Sequence, residues 1–168
     1  MAPSTTTYSA IRANMVTLIS ALTPQFQRDQ PFSLTETEQA DFKDYAADND
    51  GAVLREFEIE FVDEIDLGPR DVDAVMVKTN CDLTVAYPHH WGEYASQETA
   101  NTRYNVEALR AVALQDRRTI LRAIGREETS SYLAGTHAVI EGSVDIEDDG
   151  DGVSFLTIPL ELTYYQQA

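Results

Sequence analysis

From Thr7 to Leu22 the apolar positions Tyr8, Ile11, Met15, Leu18, Ile19 and Leu22 recur at spacings of three and four. That is the period of one helix face, so the pattern predicts an amphipathic helix over about 7–22, with Pro24 closing it. The polar, acidic stretch from Gln25 to Gly51 has no such period. It reads as a loop holding one short helix, capped by Thr35 and Glu38 ahead of Ala40, Phe42 and Tyr45, with Asp48, Asn49, Asp50 and Gly51 as a turn.

From Val53 the period drops to two. Phe57, Ile59 and Phe61 alternate with Glu56, Glu58 and Glu60, the signature of a half-buried strand. Gly68 and Pro69 mark the expected connection to a second alternating run, Val75, Val77, Thr79, Cys81, Leu83, Val85 and Tyr87, its long antiparallel partner. Pro88 and Gly92 then break the sheet. A second helix is expected over about 98–124, with Val106, Leu109, Ala113, Ile120 and Ile124 as its apolar stripe and Gly125 as its stop. Ala138, Ile140, Val144 and Ile146 form another alternating run, Asp148–Gly152 an acidic turn, and Leu156, Ile158, Leu160, Leu162 and Tyr164 a closing strand. Pro159 inside that strand points to an edge or a bulge.

Runs of strands between the helices predict an α+β fold, a mostly antiparallel sheet with two main helices packed on one face. One domain is expected over residues 1–168, with an acidic irregular insertion at about 25–51. At 168 residues such a chain buries enough surface to need neither disulfides nor a structural metal. The lone Cys81 falls among the inward positions and reads as a small buried hydrophobe. No apolar run approaches the ~20 residues of a bilayer span. The first residues lack the basic start and apolar core of a signal peptide, so the protein is expected to stay where it is made.

Charge changes the picture more than composition does. The chain carries 29 acidic and 12 basic side chains, a net charge of −17, which disfavours unspecific binding to nucleic acid or anionic lipid. Ten of the basic residues are arginine and only Lys43 and Lys78 are lysine. An aspartate-rich, lysine-poor surface suits multimolar salt, where self-repulsion is screened over about 3 Å, so a halophilic protein is expected. Against this background residues 100–126 hold Arg103, Arg110, Arg117, Arg118, Arg122 and Arg126 against only Glu107 and Asp116, a balance of +4 that leaves −21 for the rest.

Sites for chemistry are few. His89, His90, Glu93 and His137 are the candidates for a metal site, but adjacent histidines on an extended segment point to opposite faces, so at most one of the first two could join His137. Asp145, Glu147, Asp149 and Gly150 resemble the opening of a calcium-binding loop, yet Leu156 stands where its bidentate glutamate belongs. A solvated hairpin turn accounts for them better. There is no phosphate loop, nucleophile elbow, or aromatic and basic interleaving for single strands. The sequence therefore predicts no enzyme, no cofactor and no metal.

The sharper expectation is a subunit interface on the second helix. Spacing by seven sets Arg103, Arg110 and Arg117 in a stripe beside the apolar face, and Leu114 and Leu121 lie on the same flank. Arginine stems covering apolar neighbours on a solvated face are one reading of this pattern. The other is a contact with the acidic surface of an identical subunit, heterologous because the two patches differ, and closing into a ring where the rotation permits.

The order of an N-terminal amphipathic helix, an acidic strand pair, a late helix and the closing hairpin DIEDDGDGVSFLTIPLELTYY resembles the tail-terminator proteins of long-tailed bacteriophages and archaeal tailed viruses. The resemblance runs from about Tyr8 to Tyr165 and is strongest where the acid-rich turn leads into a strand ending in Tyr164 and Tyr165. It implies a virion neck protein assembled in the host cytoplasm, a ring of six copies on the last tail-tube ring. Such a ring ends tube polymerisation and meets the head connector or a head-closure protein. DNA passes its acidic lumen without specific binding, and no membrane is involved. The stretch from Gln25 to Gly51 departs from the compact family pattern. Two alternatives remain at this stage: another neck component, head-closure or tail-completion, and a small enzyme or ligand carrier with His89, His90 and His137 near a pocket mouth.

Overall fold

A computed structural model describes residues 6–25, 32–34, 55–71, 73–88, 106–125, 136–140, 145–148 and 153–167. Among them are two helices, α1 (Tyr8–Ser20) and α2 (Val106–Gly125). Six strands accompany them: β1 (Ser33–Leu34), β2 (Glu56–Asp71), β3 (Ala74–Pro88), β4 (Thr136–Ile140), β5 (Asp145–Asp148) and β6 (Val153–Gln167). The strands form one sheet in the order β1, β2, β3, β6, β4, with β5 also paired to β6. Only β1 with β2 is parallel; the other described pairs are antiparallel.

The period of two sets which face is covered. Phe57, Ile59, Val77, Cys81, Leu83, Val85 and Tyr87 join Leu156, Ile158, Leu160, Leu162 and Tyr164 in one buried cluster. Ile11, Met15 and Ile19 of α1 and Leu109, Val112, Ala113 and Ile120 of α2 complete that same cluster, so both helices lie on one face of the sheet. The fold is thus α+β, with the layers the sequence predicts.

α1 starts at Thr7, whose hydroxyl accepts from the Ala10 N–H at 3.2 Å, while the Thr6 N–H donates to the Tyr165 carbonyl at 2.7 Å and ties the helix start to β6. It ends at Ser20, ahead of Pro24. Tyr8, expected on the buried stripe, is instead exposed and packs its ring edge-on against Phe61, centroids 4.3 Å apart.

Several expectations are corrected. Gly68 and Pro69 do not reverse the chain: β2 runs through them to Asp71, which pairs with Ala74, so the reversal falls beyond Asp71. Register shifts flank Pro69, and Gly68 takes φ +88°, a left-handed conformation in which glycine avoids the steric cost of a side chain. Glu56 is buried, unlike exposed Glu60, because β1 pairs beside it. The expected irregular stretch contains β1, and Phe32 just before it is buried in the core. The predicted short helix at Thr35–Tyr45 and the turn at Asp48–Gly51 lie outside the described residues, as do residues 98–105 of the predicted second helix.

Pro159 sits neither on an edge strand nor at a bulge in the pairing of β6 with β3. β6 is an interior strand, paired along its length with β3, while β4 and β5 share its far side. β4 stops at Ile140, opposite Leu160, and β5 begins at Asp145, opposite Thr157. Pro159, which has no N–H to give to a ladder, occupies the interval where the register shifts by two. The run expected to be continuous from Ala138 to Ile146 is therefore two strands.

Candidate subunit interface

α2 is held by a narrow buried arc. Leu109, Val112, Ala113, Asp116, Ile120 and Ala123 are all buried, at the three- and four-residue spacing of one helix side. Asp116 lies in the middle of that arc and is fully shielded. The Arg55 Nε donates to its Oδ2 at 2.5 Å, and the Tyr87 hydroxyl donates to the same oxygen at 3.0 Å. Arg55, just ahead of β2, also lies over the Phe32 ring, 6.0 Å from its centroid. One buried carboxylate thus ties α2 to the start of β2 and the end of β3.

This network sets the helix's rotation. Residues two apart on a helix differ by about 200°, so fixing Asp116 inward turns Leu114 and Arg118 outward. Leu114 is 41% exposed, one of few large apolar side chains so placed among the described residues. Arg110, Arg118 and Arg122 are exposed around it. The outward face of α2 is therefore cationic with one apolar centre.

The predicted interface set is distributed unevenly over this surface. Arg110 and Leu114 are exposed as expected. Leu121 is half-buried and packs against the protein's own core, and Arg117 is half-buried with its Nε shielded and without an acceptor among the described residues. Arg103 lies outside the described residues. The seven-residue stripe follows the flank of the helix, whereas the centre of the exposed face runs through Leu114, Arg118 and Arg122. Arg118 stands four residues beyond Leu114, the spacing of neighbours on a helix surface, and Arg122 follows four residues beyond Arg118 on the same side.

Burial sets the chemistry of the network. Desolvation is the largest influence on Asp116 and raises its carboxyl above the ordinary value, against the opposing pull of the Arg55 charge and the two hydrogen bonds. Tyr87 is held well above its ordinary value, first by burial and then by the Asp116 charge. The hydrogen bonds of the cluster fasten α2 to the strands beneath it.

No family model matches the chain, and no curated protein matches it.

The opposite face of the sheet has the opposite sign. Glu58, Asp82 and Glu161 are half-buried and Glu60 exposed on the side away from the helices, where Lys78 pairs with Glu161 at 2.5 Å. The outer edge of β2 adds apolar surface. Phe61 pairs with Cys81 and Asp63 with Asn80, so Val62 is an extra residue in a bulge. The Thr79 hydroxyl donates to the Asp63 carbonyl, and the Asn80 N–H donates to the Asp63 carboxylate at 3.3 Å, which holds the bulge in place. Val62 is left 62% exposed and Ile65 47% exposed, with exposed Glu60 and Asp63 beside them. Beyond Phe57, β2 has no strand on this side among the described residues.

The other chemical candidates gain no geometry. His89, His90, Glu93 and Asp149–Gly152 lie outside the described residues; His137 stands on β4 opposite Thr163, and Asp145 and Glu147 on β5 opposite Thr157 and Phe155. Among the described residues no three His, Cys, Asp or Glu side chains gather to hold a metal. No described helix is long and apolar enough to cross a membrane.

Proposed function

We propose that this chain is a tail terminator, a structural protein of a virion neck. Its copies close into a ring of about six on the last tail-tube ring, end tube growth and meet the head connector. The observation that carries the reading is the outward face of α2. In a chain of net charge −17, its exposed arginines surround exposed Leu114 on a helix whose rotation is fixed by a buried ion pair. A rigid cationic surface on an acidic molecule is complementary to the rest of that molecule, and a contact between two unlike patches is heterologous, the kind that closes into a ring where the rotation permits.

The acidic open face of the sheet supports the same reading. Glu58, Asp82 and Glu161 present a sign that repels a phosphate backbone, which suits a passage through which DNA must slide without sticking.

Light scattering tests the assembly. For an 18.7 kDa chain a ring of six has a mass of about 110 kDa, and Arg110→Glu with Arg118→Glu is expected to reduce it to the monomer with the fold intact. A wild-type protein that stays monomeric in low and molar salt, and with tail-tube protein present, refutes the proposal.

A further inference from the structure

Resting on the ring reading, we infer that the outward face of α2 docks on the bulged outer edge of β2 in a second copy of this chain. The two surfaces match in pattern as well as in sign. On α2, Leu114 is the apolar centre and Arg110, Arg118 and Arg122 surround it. On β2, Val62 and Ile65 are the apolar centre, and Glu60 and Asp63 flank them. Val62, Ile65 and Leu114 are three of the four large apolar side chains that stand exposed among the described residues; the fourth, Tyr8, packs on Phe61 next to the bulge. A contact between these patches removes the exposed apolar groups from water at the centre and leaves the opposite charges paired at the rim.

The acidic face of the sheet is a poorer counterpart. It offers charge, but apart from Glu60 at its β2 border its acids Glu58, Asp82 and Glu161 are half-buried, and Lys78 already pairs with Glu161. The bulge distinguishes the β2 edge, because it turns Val62 out of the ladder and breaks the regular edge on which another strand would pair. A helix laid across side chains is the partner that this edge suits.

Paired charge exchange tests the contact. The edge variant carries Glu60→Lys and Val62→Lys; the helix variant carries Leu114→Glu and Arg118→Glu. All four positions are exposed, so both variants are expected to keep the wild-type circular dichroism spectrum. Each alone is expected to run as a monomer, an about sixfold loss of mass. Mixed in equal amounts they are expected to regain the ring mass, because the acidified helix of one meets the cationic edge of the other, and the remaining native surfaces meet in alternate contacts. If the edge variant assembles like the wild type while the helix variant does not, the ring reading survives and the β2 edge is not the counterpart. A mixture that stays monomeric likewise shows that the two surfaces do not meet. A helix variant that forms the ring removes the contact, and a wild-type protein that never forms one removes the reading beneath it as well.

Discussion

Replacing Asp116 with leucine should be among the most damaging single changes in this protein, although it removes a buried charge. Arg55 and Asp116 are both fully shielded at the side chain, and the Arg55 Nε lies 2.5 Å from the Asp116 Oδ2. Removing the carboxylate strands a buried guanidinium and leaves the Tyr87 hydroxyl without its acceptor. Breaking a buried pair in this way costs about 3–5 kcal/mol. In a domain of this length each kcal/mol lowers Tm by about 2–4 °C, so Asp116→Leu should melt about 6–20 °C below wild type. The double variant Arg55→Met with Asp116→Leu should recover most of that loss. The raised carboxyl of Asp116 shows that burial outweighs what the arginine and the hydrogen bonds return, so an apolar pair of similar size loses little. Thermal and urea unfolding of wild type, both single variants and the double give the coupling energy directly. A single Asp116→Leu cost below about 1 kcal/mol, or a double variant whose loss equals the sum of the singles, would overturn the account of how α2 is fastened.

Other outcomes follow from the same structure. Because the folded value of Asp116 is raised above the unfolded one, its contribution is present in acid and lost as pH rises through the folded value. Wild type should therefore lose stability relative to Asp116→Asn over that interval, and unfolding both across pH checks the sign. Cys81 is buried and its thiol is pushed up to about 12, so alkylation by iodoacetamide at neutral pH should be negligible until denaturant is added. Gly68→Ala, which meets no steric neighbour but keeps φ +88°, should cost about 1 kcal/mol in urea unfolding. Stability should rise between low and molar NaCl, as expected for a chain of charge −17, and a flat melting temperature would count against the salt adaptation.

How much of this was legible in the sequence depended on period. β3 and β6 are long, and their alternation is unbroken, so their inward residues could be named. β1 spans two residues and is too short to show any period. Gly68–Pro69 has the composition of a turn, and only pairing on both sides of it shows that the strand continues. Pro159 has the composition signal of an edge or a bulge, but its strand is interior and regular, and the break lies instead between its partner strands β4 and β5. In α2 the signal for Asp116 was present: it falls on the helix side that Leu109, Ala113 and Ile120 define, where an acid needs a partner. Counting it as a surface charge concealed both its role and the rotation it imposes. That rotation moved the exposed centre from Arg117 and Leu121 to Arg118 and Arg122.

The position of Leu114 among arginines has a consequence for how the proposed contact between copies responds to salt. Dissolved ions relieve the repulsion within each copy, yet they also weaken the attraction between one copy's cations and the next one's acids. Stability of the fold and strength of the joint should therefore respond to added salt in opposite directions. In concentrated brine the greasy centre of the contact must do most of the holding, and sulfate, which strengthens apolar association, should keep copies together where the same ionic strength of chloride lets them part.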